Sequence, residues 1–378
     1  MRTLDDLELD GARVVVRVDF NVPLDGDGEI TDDTRIQAAG PTLRRLQERG
    51  ASQLVLLAHL GRPKGVDPAL SLDPVAERLG ELLGEDVVLA GTPEDVDADD
   101  PVVMVENVRF FDGETSDDAA LAKRFAALGD VYVNDAFGAA HRAHASTHGI
   151  ARLLPSAAGL LLEREVRTLT GLLADPARPL AAVVGGAKVT DKLGVLQRFV
   201  ELADHVIVGG AMVFPFLAAQ GHTVGDSLCE AAGIEPARAV LDAAGDKLLL
   251  PDDLVLGRAF AADTEIQALD GVDVPDGWMG LDVGPRTAAR YAEAIRASKT
   301  VFWNGPMGAF ELAPFAAGTR AVGEAVVAVD TSVIGGGDSV AAAVQFGLAD
   351  RATHVSTGGG ASLELIEGKT LPGVEVLS

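Results

Sequence analysis

The sequence has 378 residues, 48% of them hydrophobic and 23% charged, which predicts a globular protein of two or more domains and excludes a disordered chain. No apolar stretch reaches the roughly 18 residues of a membrane span, and the start shows no signal-peptide pattern, so we expect a cytoplasmic protein. The single cysteine, Cys229, excludes an internal disulfide and a cysteine-rich zinc site.

The net charge is −26, from 57 acidic and 31 basic residues. Such a surface repels phosphate backbones and anionic lipids, so neither nucleic acid nor a membrane is an expected partner. Only seven of the basic residues are lysines. An acidic excess with scarce lysine favours adaptation to concentrated salt, where screening removes self-repulsion. The alternative is a GC-rich genome, which favours arginine over lysine.

Short β-branched runs recur along the chain, and most are followed directly by glycine-rich or charged clusters. The runs are Val14–Val18, Leu54–Leu57, Val102–Val105, Val131–Val133, Ala181–Val184, Val206–Val208, Lys247–Leu250, Val301–Trp303, Ser332–Ile334 and His354–Ser356. Amphipathic patterns between them predict helices, for example over Ile36–Arg49, Pro74–Leu83 and Asp117–Leu128. Apolar runs separated by helices predict strands buried on both faces, and therefore an α/β fold with parallel sheets.

In the first half of the chain, basic side chains follow the predicted strands. They are Arg35, His59, Arg62, Arg109, His141 and Arg142. Ligands of parallel sheets bind outside the carboxyl ends of the strands, and the guanidinium fork matches carboxylate and phosphate oxygens. These residues therefore predict an anion pocket. The alternative is that each arginine pairs with one of the abundant carboxylates.

In the second half, glycines follow most of the strands. The segments are Gly185-Gly-Ala-Lys188-Val-Thr-Asp-Lys192, Gly209-Gly210, Asn304-Gly-Pro306, Gly335-Gly-Gly-Asp338-Ser339 and Gly358-Gly-Gly360. Free backbone N–H groups at helix starts bind phosphate, and Lys188 and Lys192 are spaced to share one helix face. Because Mg²⁺ takes one or two carboxylates plus phosphate oxygens, Asp338 suits a magnesium nucleotide. The alternative is that Asp338 or Ser339 only caps a helix beginning at Val340.

Three familiar motifs are not supported. Gly368-Lys-Thr370 has Leu363 where a phosphate-binding Walker loop needs glycine. No G-x-G-x-x-G run is present, which weakens the case for an NAD-dependent dehydrogenase, and no histidine pair has the spacing of a catalytic zinc site.

A helical pattern over Leu160–Leu173, bounded by Pro155 and Pro176, marks the boundary between two domains.

Nine segments, taken together and in order, resemble the phosphoglycerate kinase family over nearly the whole chain. They are RVDFNVP at 17–23, HLGRPKG at 59–65, ENVRF at 106–110, NDAFGAAHRAH at 134–144, GGAKVTDK at 185–192, GLDVGP at 280–285, FWNGPMGAFE at 302–311, GGGDS at 335–339 and STGGGAS at 356–362. The resemblance implies two Rossmann-like three-layer domains with parallel sheets, joined by a helix and hinge. The implied boundaries are an N-terminal domain at 1–155, a connecting helix at 156–174, a C-terminal domain at 175–360, and a segment at 361–378 that returns to the first domain.

The resemblance also implies the ligands of each domain. The N-terminal domain would hold 3-phosphoglycerate or 1,3-bisphosphoglycerate through Asp19, Asn21, Arg35, His59, Arg62, Arg109 and Arg142. The C-terminal domain would hold MgADP or MgATP through Lys192, Gly209, Gly210, Asn304, Glu311, Gly336, Gly337, Asp338 and Ser339. Within this set Asp338 would bind Mg²⁺, Glu311 the ribose hydroxyls, and Gly209 and Gly210 the adenine. Arg35, Lys188 and Lys192 would be catalytic.

The implied activity is a reversible phosphoryl transfer by a monomeric enzyme, without a phosphoenzyme. Such chemistry needs positioning and charge stabilisation more than a nucleophile. The sequence departs from the family pattern at Ser339, where threonine is usual, and the chain is somewhat short, which suggests trimmed loops. The rival interpretation is a non-catalytic, two-domain protein that binds a nucleotide or another anion.

Overall fold

The computed structural model describes all 378 residues, Met1–Ser378. The chain divides into two compact units, one formed by Met1–Arg167 with Gly368–Ser378 and the other by Thr168–Glu367. Each unit is built on a six-stranded parallel sheet, which confirms the α/β prediction.

The sheet of the first unit has the strand order β3-β4-β2-β1-β5-β6. Its strands are Arg13–Arg17 (β1), Gln53–Leu57 (β2), Val88–Ala90 (β3), Val102–Val105 (β4), Val131–Asn134 (β5) and Ser156–Ala158 (β6). The helices up to the division are Thr34–Glu48 (α1), Asp73–Leu83 (α2), Ala119–Ala126 (α3) and Leu160–Ala174 (α4). The longest helices, α1 and α4, have 15 residues each, and none has the length and hydropathy of a membrane span.

Burial explains why the strands of this unit could be read from apolar runs. Val14, Val15 and Val16 of β1 are completely buried although they point alternately to opposite faces. One face is covered by α1, whose buried side chains include Ile36 and Leu43, two turns apart. Central parallel strands of this kind carry apolar side chains on both faces.

A buried carboxyl group holds the start of α4. Asp135, which directly follows β5, accepts the backbone N–H of Leu161 at 2.9 Å and of Leu162 at 3.3 Å through one oxygen, Oδ1. The first N–H groups of a helix have no partner within the helix, so this carboxyl group satisfies two of them. The division between the two units falls inside α4, after Arg167.

The second unit has a parallel sheet of order β15-β14-β13-β7-β8-β9 and a separate antiparallel sheet of order β11-β10-β12. The strands are Leu180–Val184 (β7), His205–Val208 (β8), Leu248–Leu249 (β9), Leu254–Gly257 (β10), Ile266–Leu269 (β11), Met279–Val283 (β12), Thr300–Asn304 (β13), Thr331–Ile334 (β14) and His354–Val355 (β15). Its further helices are Leu193–Leu202 (α5), Val213–Ala219 (α6), Ile234–Ala244 (α7), Pro285–Arg296 (α8), Ala317–Val326 (α9), Gly337–Gln345 (α10) and Gly360–Ile366 (α11).

The end of the chain packs within the first unit. The last helix is Pro372–Glu375 (α12), and Gly373 N–H donates to the carbonyl of Ala140 at 2.9 Å. At the other terminus, Arg2 N–H donates to the carbonyl of Leu377 at 2.7 Å. The segment in the first unit starts at Gly368 rather than at 361, because α11 lies against α5, where Gly194 faces Glu367.

Candidate functional site

The first unit gathers its predicted binding residues at the carboxyl ends of its parallel strands. Asp19 and Asn21 follow β1, His59 and Arg62 follow β2, Arg109 follows β4, Arg142 follows β5, and Arg35 lies in the first turn of α1. We call this set, Asp19, Asn21, Arg35, His59, Arg62, Arg109 and Arg142, the basic cluster. Arg35 and Arg109 lie near enough to His59 for their charges to lower its pKa, and Arg62 and Arg142 have the same effect on Arg109.

Hydrogen bonds of one buried amide shape the loops of the basic cluster. Asn107, completely buried after β4, donates to the carbonyls of Leu60 at 2.8 Å and Leu70 at 2.9 Å. Its Oδ1 accepts the backbone N–H of Arg109 at 3.1 Å. One side chain therefore fixes both the loop that carries His59 and the turn that carries Arg109.

The electrostatics of the basic cluster favour a bound anion. Burial and the positive charges of Arg17, Arg142 and Arg62 together lower the pKa of Arg109 to about 10, against the opposing charge of Glu114. Burial also lowers the pKa of His59 well below its ordinary value, assisted by the charges of Arg17, Arg109 and Arg35. Positive charges that depress one another's pKa are relieved by an incoming anion.

Pairing with carboxylates accounts for only part of the basic cluster. Arg35 contacts Asp19 at 2.6 Å, and Asp19 Oδ1 is buried without a hydrogen-bond partner. Arg109 instead donates to the carbonyl of Gly61, and Arg142 donates to His141 at 3.0 Å. The alternative that every arginine pairs with its own carboxylate does not describe this arrangement.

The second unit contains a cavity of about 610 Å³ at the carboxyl ends of its strands. Gly186, Gly210, Pro306 and Asp338 line it from four strand ends, and the exposed side chain of Glu311 lines it as well. Gly210 has a φ of +68°, and a Cβ there would lie 2.6 Å from the backbone N and O of Gly186. Only glycine permits this close approach of two backbone segments.

Lys192 ties two of these strand ends together. Its ammonium group donates to the carbonyls of Gly185 at 2.6 Å and Asn304 at 3.0 Å. Burial lowers the pKa of Lys192 to about 8, against the opposing charges of Asp338 and Asp191. A buried lysine without an adjacent carboxylate in hydrogen-bond contact is well placed to pair with an anion.

Lys188 does not lie on a helix face with Lys192, so the interpretation of their spacing is wrong. Helix α5 begins only at Leu193, after a short 3₁₀ turn over Thr190–Lys192. The preceding glycines keep Lys188 in a loop, where it is half exposed and its ammonium lies 3.8 Å from Glu230.

Helix α10 begins earlier than the capping alternative requires. Its N-cap is Gly336, and no side chain caps it, so Asp338 and Ser339 lie in its first turn. The buried Ser339 hydroxyl accepts the backbone N–H of Gly305 at 2.8 Å and donates to the carbonyl of Gly335 at 2.6 Å. Serine thus supplies the hydroxyl that joins two glycine loops, and Asp338 is left exposed at the cavity.

The side chains at this edge fit a magnesium nucleotide. No group of three His, Cys, Asp or Glu side chains able to hold a metal ion occurs in the structure. Mg²⁺ in nucleotide sites takes one or two carboxylates and phosphate oxygens, so a single exposed carboxylate beside glycine loops is the suitable donor set. Asn304 adds a buried side-chain oxygen, Oδ1, that has no hydrogen-bond partner.

A buried group of polar side chains behind the basic cluster was not predicted from the sequence. Arg17, Ser146 and Glu114 are each at most 1% exposed and are joined by hydrogen bonds, and Arg17 contacts His59 at 3.0 Å. The only sequence signal for this buried group is that β1, otherwise apolar, has a charged residue at each end, Arg13 and Arg17.

Comparison with known proteins identifies the family. The family described as phosphoglycerate kinase matches residues 4–369. The chain belongs to the phosphoglycerate kinase family. It is 52% identical over 385 aligned residues to the phosphoglycerate kinase of Rubrobacter xylanophilus, covering 100% of this chain and 98% of that one. It is 50% identical to the cytosolic phosphoglycerate kinase of Triticum aestivum, covering 99% and 97%.

Solved structures of phosphoglycerate kinases share the fold. The enzyme from Coxiella burnetii is 40% identical, with a TM-score of 0.91 over 99% of this chain and 98% of that one. The enzyme from Pyrococcus horikoshii is 31% identical, with a TM-score of 0.87 over 100% and 98%. The family is one of nucleotide-binding transferases of glycolysis, with ATP and 3-phosphoglycerate as substrates.

Proposed function

We propose that the chain is a phosphoglycerate kinase that transfers a phosphoryl group reversibly between 1,3-bisphosphoglycerate and MgADP, giving 3-phosphoglycerate and MgATP. The observation that carries this proposal is that the two units place different groups at the carboxyl ends of their parallel strands. The basic cluster suits a small phosphorylated acid, and the cavity with Lys192 and Asp338 suits a nucleotide.

The basic cluster would bind 3-phosphoglycerate through its guanidinium groups and His59. Arginine forms charge-assisted, paired hydrogen bonds with both carboxylate and phosphate. Asp19 orients Arg35 through their 2.6 Å contact, and Asn21 accepts the backbone N–H of Gly61 at 2.8 Å, which holds the loop before Arg62.

The cavity of the second unit would bind the nucleotide. Gly209 and Gly210 would lie against the adenine, Glu311 would accept the ribose hydroxyls, and Asn304 would lie near the phosphates. Gly336, Gly337 and Ser339 would form the phosphate-binding start of α10, where the helix dipole favours negative charge. Asp338 would hold the Mg²⁺ of the nucleotide, and that ion neutralises phosphate charge when bound.

Arg35, Lys188 and Lys192 would stabilise the phosphoryl group during in-line transfer. Phosphoryl transfer depends on positioning and on cations that match the charge of the transition state. The acceptor is already a carboxylate in the ATP-consuming direction, so no general base is required. The loose 3.8 Å contact of Lys188 with Glu230 leaves that ammonium able to turn to a bound anion.

The two substrates would bind to different units, so transfer requires a hinge-bending movement that brings them together and excludes water. We place the hinge near the connecting helix, α4. We further propose a cytoplasmic monomer that serves glycolysis and gluconeogenesis and binds neither nucleic acid nor membranes. The name of the Triticum aestivum relative, a cytosolic phosphoglycerate kinase, supports the location.

The experiment is a coupled assay of ADP release from MgATP and 3-phosphoglycerate, with wild type, Arg35→Ala and Arg45→Ala. Arg45 lies on the same helix, 48% exposed and 3.7 Å from Glu48, so it is the matched control. We expect Arg35→Ala to lose at least about 100-fold in kcat/KM and Arg45→Ala to keep wild-type activity. A folded wild type without activity would leave the non-catalytic binding protein as the better interpretation.

A further inference from the structure

A buried chain of polar groups runs behind the basic cluster and ends on His59. Arg17 donates to Ser146 Oγ at 2.8 Å, and Ser146 donates to Glu114 Oε1 at 2.6 Å. Glu114 also accepts the backbone N–H of Ser146 at 3.1 Å. The buried charge of Arg17 is thus balanced by Glu114 through one hydroxyl group, and all three side chains are held in place.

The other end of Arg17 determines the chemistry of His59. A guanidinium nitrogen of Arg17 lies 3.0 Å from His59 Nδ1. A guanidinium group has five N–H donors and no acceptor, so this hydrogen bond requires a lone pair on Nδ1. His59 must then be neutral, with its proton on Nε2, because the imidazolium form and the other tautomer both carry a proton on Nδ1.

The positive charges around His59 also favour its neutral form. It is faced by Arg17 from β1, Arg35 from α1, Arg109 from the turn after β4, and His144. Burial and these charges all lower the pKa of His59. His59 Nε2 has no hydrogen-bond partner within the protein and is not among its buried unpaired atoms, so its N–H is available to a ligand.

We infer that Arg17 is a positioning residue that holds His59 as the neutral Nε2–H tautomer, so that His59 donates one hydrogen bond to the anion bound in the basic cluster. The identity of that anion as 3-phosphoglycerate rests on the proposed function. The consequence is that this donor does not depend on protonation near neutral pH, whereas an imidazolium donor would be lost as pH rises through about 6.5.

The direct test is the nitrogen NMR spectrum of the substrate-free full chain, labelled with ¹⁵N-histidine, between pH 6 and 8. His59→Gln identifies the His59 signals among those of the seven histidines. We expect an unprotonated Nδ1 and a protonated Nε2 throughout this range. A proton on Nδ1 at pH 7, in either the other tautomer or the imidazolium ion, would overturn the inference.

Variants test whether Arg17 is the cause. Arg17→Met removes the donor, and we expect a mixture of tautomers and a KM for 3-phosphoglycerate about tenfold higher, with a smaller change in kcat. Arg17→Lys retains a hydrogen-bond donor, so we expect it to keep most of the Nε2–H tautomer and a KM close to that of wild type. Arg13→Met is the matched control on the same strand, because Arg13 is 42% exposed and pairs with Asp130 at 2.9 Å.

The pH dependence separates positioning from general loss of structure. The phosphate of the substrate itself titrates near pH 6, so the informative quantity is the ratio of variant KM to wild-type KM at each pH. For Arg17→Met this ratio should change through the histidine range. A constant ratio together with an unchanged His59 spectrum would show that Arg17 is only structural and would refute the inference.

A second variant and the absence of substrate complete the test. If Arg17→Met does not fold, Ser146→Ala removes the hydroxyl that holds Arg17 and should shift the tautomer balance in the same direction; an unchanged balance would count against the inference. Because the spectrum is recorded without substrate, an inactive protein with the expected tautomer would refute the proposed kinase activity and leave the role of Arg17 intact.

Discussion

Asp135 Oδ1 accepts the backbone N–H of Leu161 at 2.9 Å, while its other oxygen, Oδ2, is buried without a hydrogen-bond partner. Burial raises the pKa of Asp135 to about 7, against the opposing effects of the nearby Thr42 hydroxyl and of the backbone hydrogen bonds from Leu162 and Leu161. The folded state therefore binds a proton that the unfolded state has released above about pH 4. Stability from this group falls as pH rises from about 4 to about 7.

The first prediction follows from that proton. Asp135→Asn keeps an acceptor at Oδ1 and places an uncharged amide where Oδ2 lies. We expect the variant to gain stability relative to wild type by roughly 2–3 kcal/mol between pH 5 and pH 7. Thermal unfolding of both proteins by circular dichroism at pH 5, 6, 7 and 8 measures this. Asp118→Asn, at the exposed cap of α3, is the control and should show a constant difference. A constant difference for Asp135→Asn would refute the prediction.

The second prediction concerns Lys192. With its pKa lowered to about 8 by burial, Lys192 loses its charge as pH rises above that value. We expect kcat/KM for MgATP to decline above about pH 8, because that parameter reports ionisation of the free enzyme. Lys192→Met should have lower activity, and its kcat/KM should no longer decline above about pH 8. Lys188→Met should also have lower activity but should keep that decline. A wild-type profile that stays flat to pH 9 would contradict the assignment.

The third prediction separates backbone strain from close approach. Gly210 and Gly221 both have positive φ angles, +68° and +93°. A Cβ added at Gly221 would have no atom within 4 Å, whereas a Cβ added at Gly210 would lie 2.6 Å from the Gly186 backbone. Backbone strain should cost each alanine variant about 1 kcal/mol, and Gly210→Ala should be destabilised further because its Cβ would displace the Gly186 backbone. Only Gly210→Ala should also raise the KM for MgATP, by about tenfold or more. Unfolding followed by tryptophan fluorescence suits this comparison, since Trp278 and Trp303 both lie in the second unit. Equal KM values for MgATP in the two variants would show that the Gly186–Gly210 contact does not contribute to nucleotide binding.

The fourth prediction concerns salt. A net charge of −26 produces self-repulsion that ions screen over a few ångströms at molar concentration. We expect both the unfolding temperature and kcat/KM to be higher in molar KCl than in dilute buffer. Sucrose at the same osmotic strength is the control, because it changes water activity without screening charge. An enzyme that is equally stable and active in dilute buffer would favour the GC-rich genome as the reason for the scarcity of lysine.

The sequence predicted the central strands well because their burial on both faces leaves continuous apolar runs. Each of the ten predicted runs overlaps an observed strand, and no end differs by more than one residue. Five strands were not predicted, β3, β6, β10, β11 and β12, although β3 and β10 also contain short apolar runs. β3 and β6 are three-residue edge strands, and β11 of the antiparallel sheet is largely exposed. A strand with a solvated face mixes polar and apolar residues, so its short pattern does not stand out.

The candidate binding residues were predicted for the same topological reason, since parallel strands present their carboxyl ends at one edge. What could not be predicted depends on contacts between distant segments. Arg17 and Glu114 are 97 positions apart and meet only through Ser146, and the loop of Lys188 departs from the helical spacing that its neighbours suggested.

The return of the chain end to the first unit bears on the order of synthesis. Thr168–Glu367 is an insertion within the first unit, which also needs Gly368–Ser378 for its own hydrogen bonds, among them the one from Arg2 to Leu377. A ribosome therefore releases every residue of the second unit before the last part of the first unit emerges. Of the two units, the one whose synthesis begins earlier is completed later, and its early strands cannot be fully paired with the rest of the unit until Gly368–Ser378 has been made.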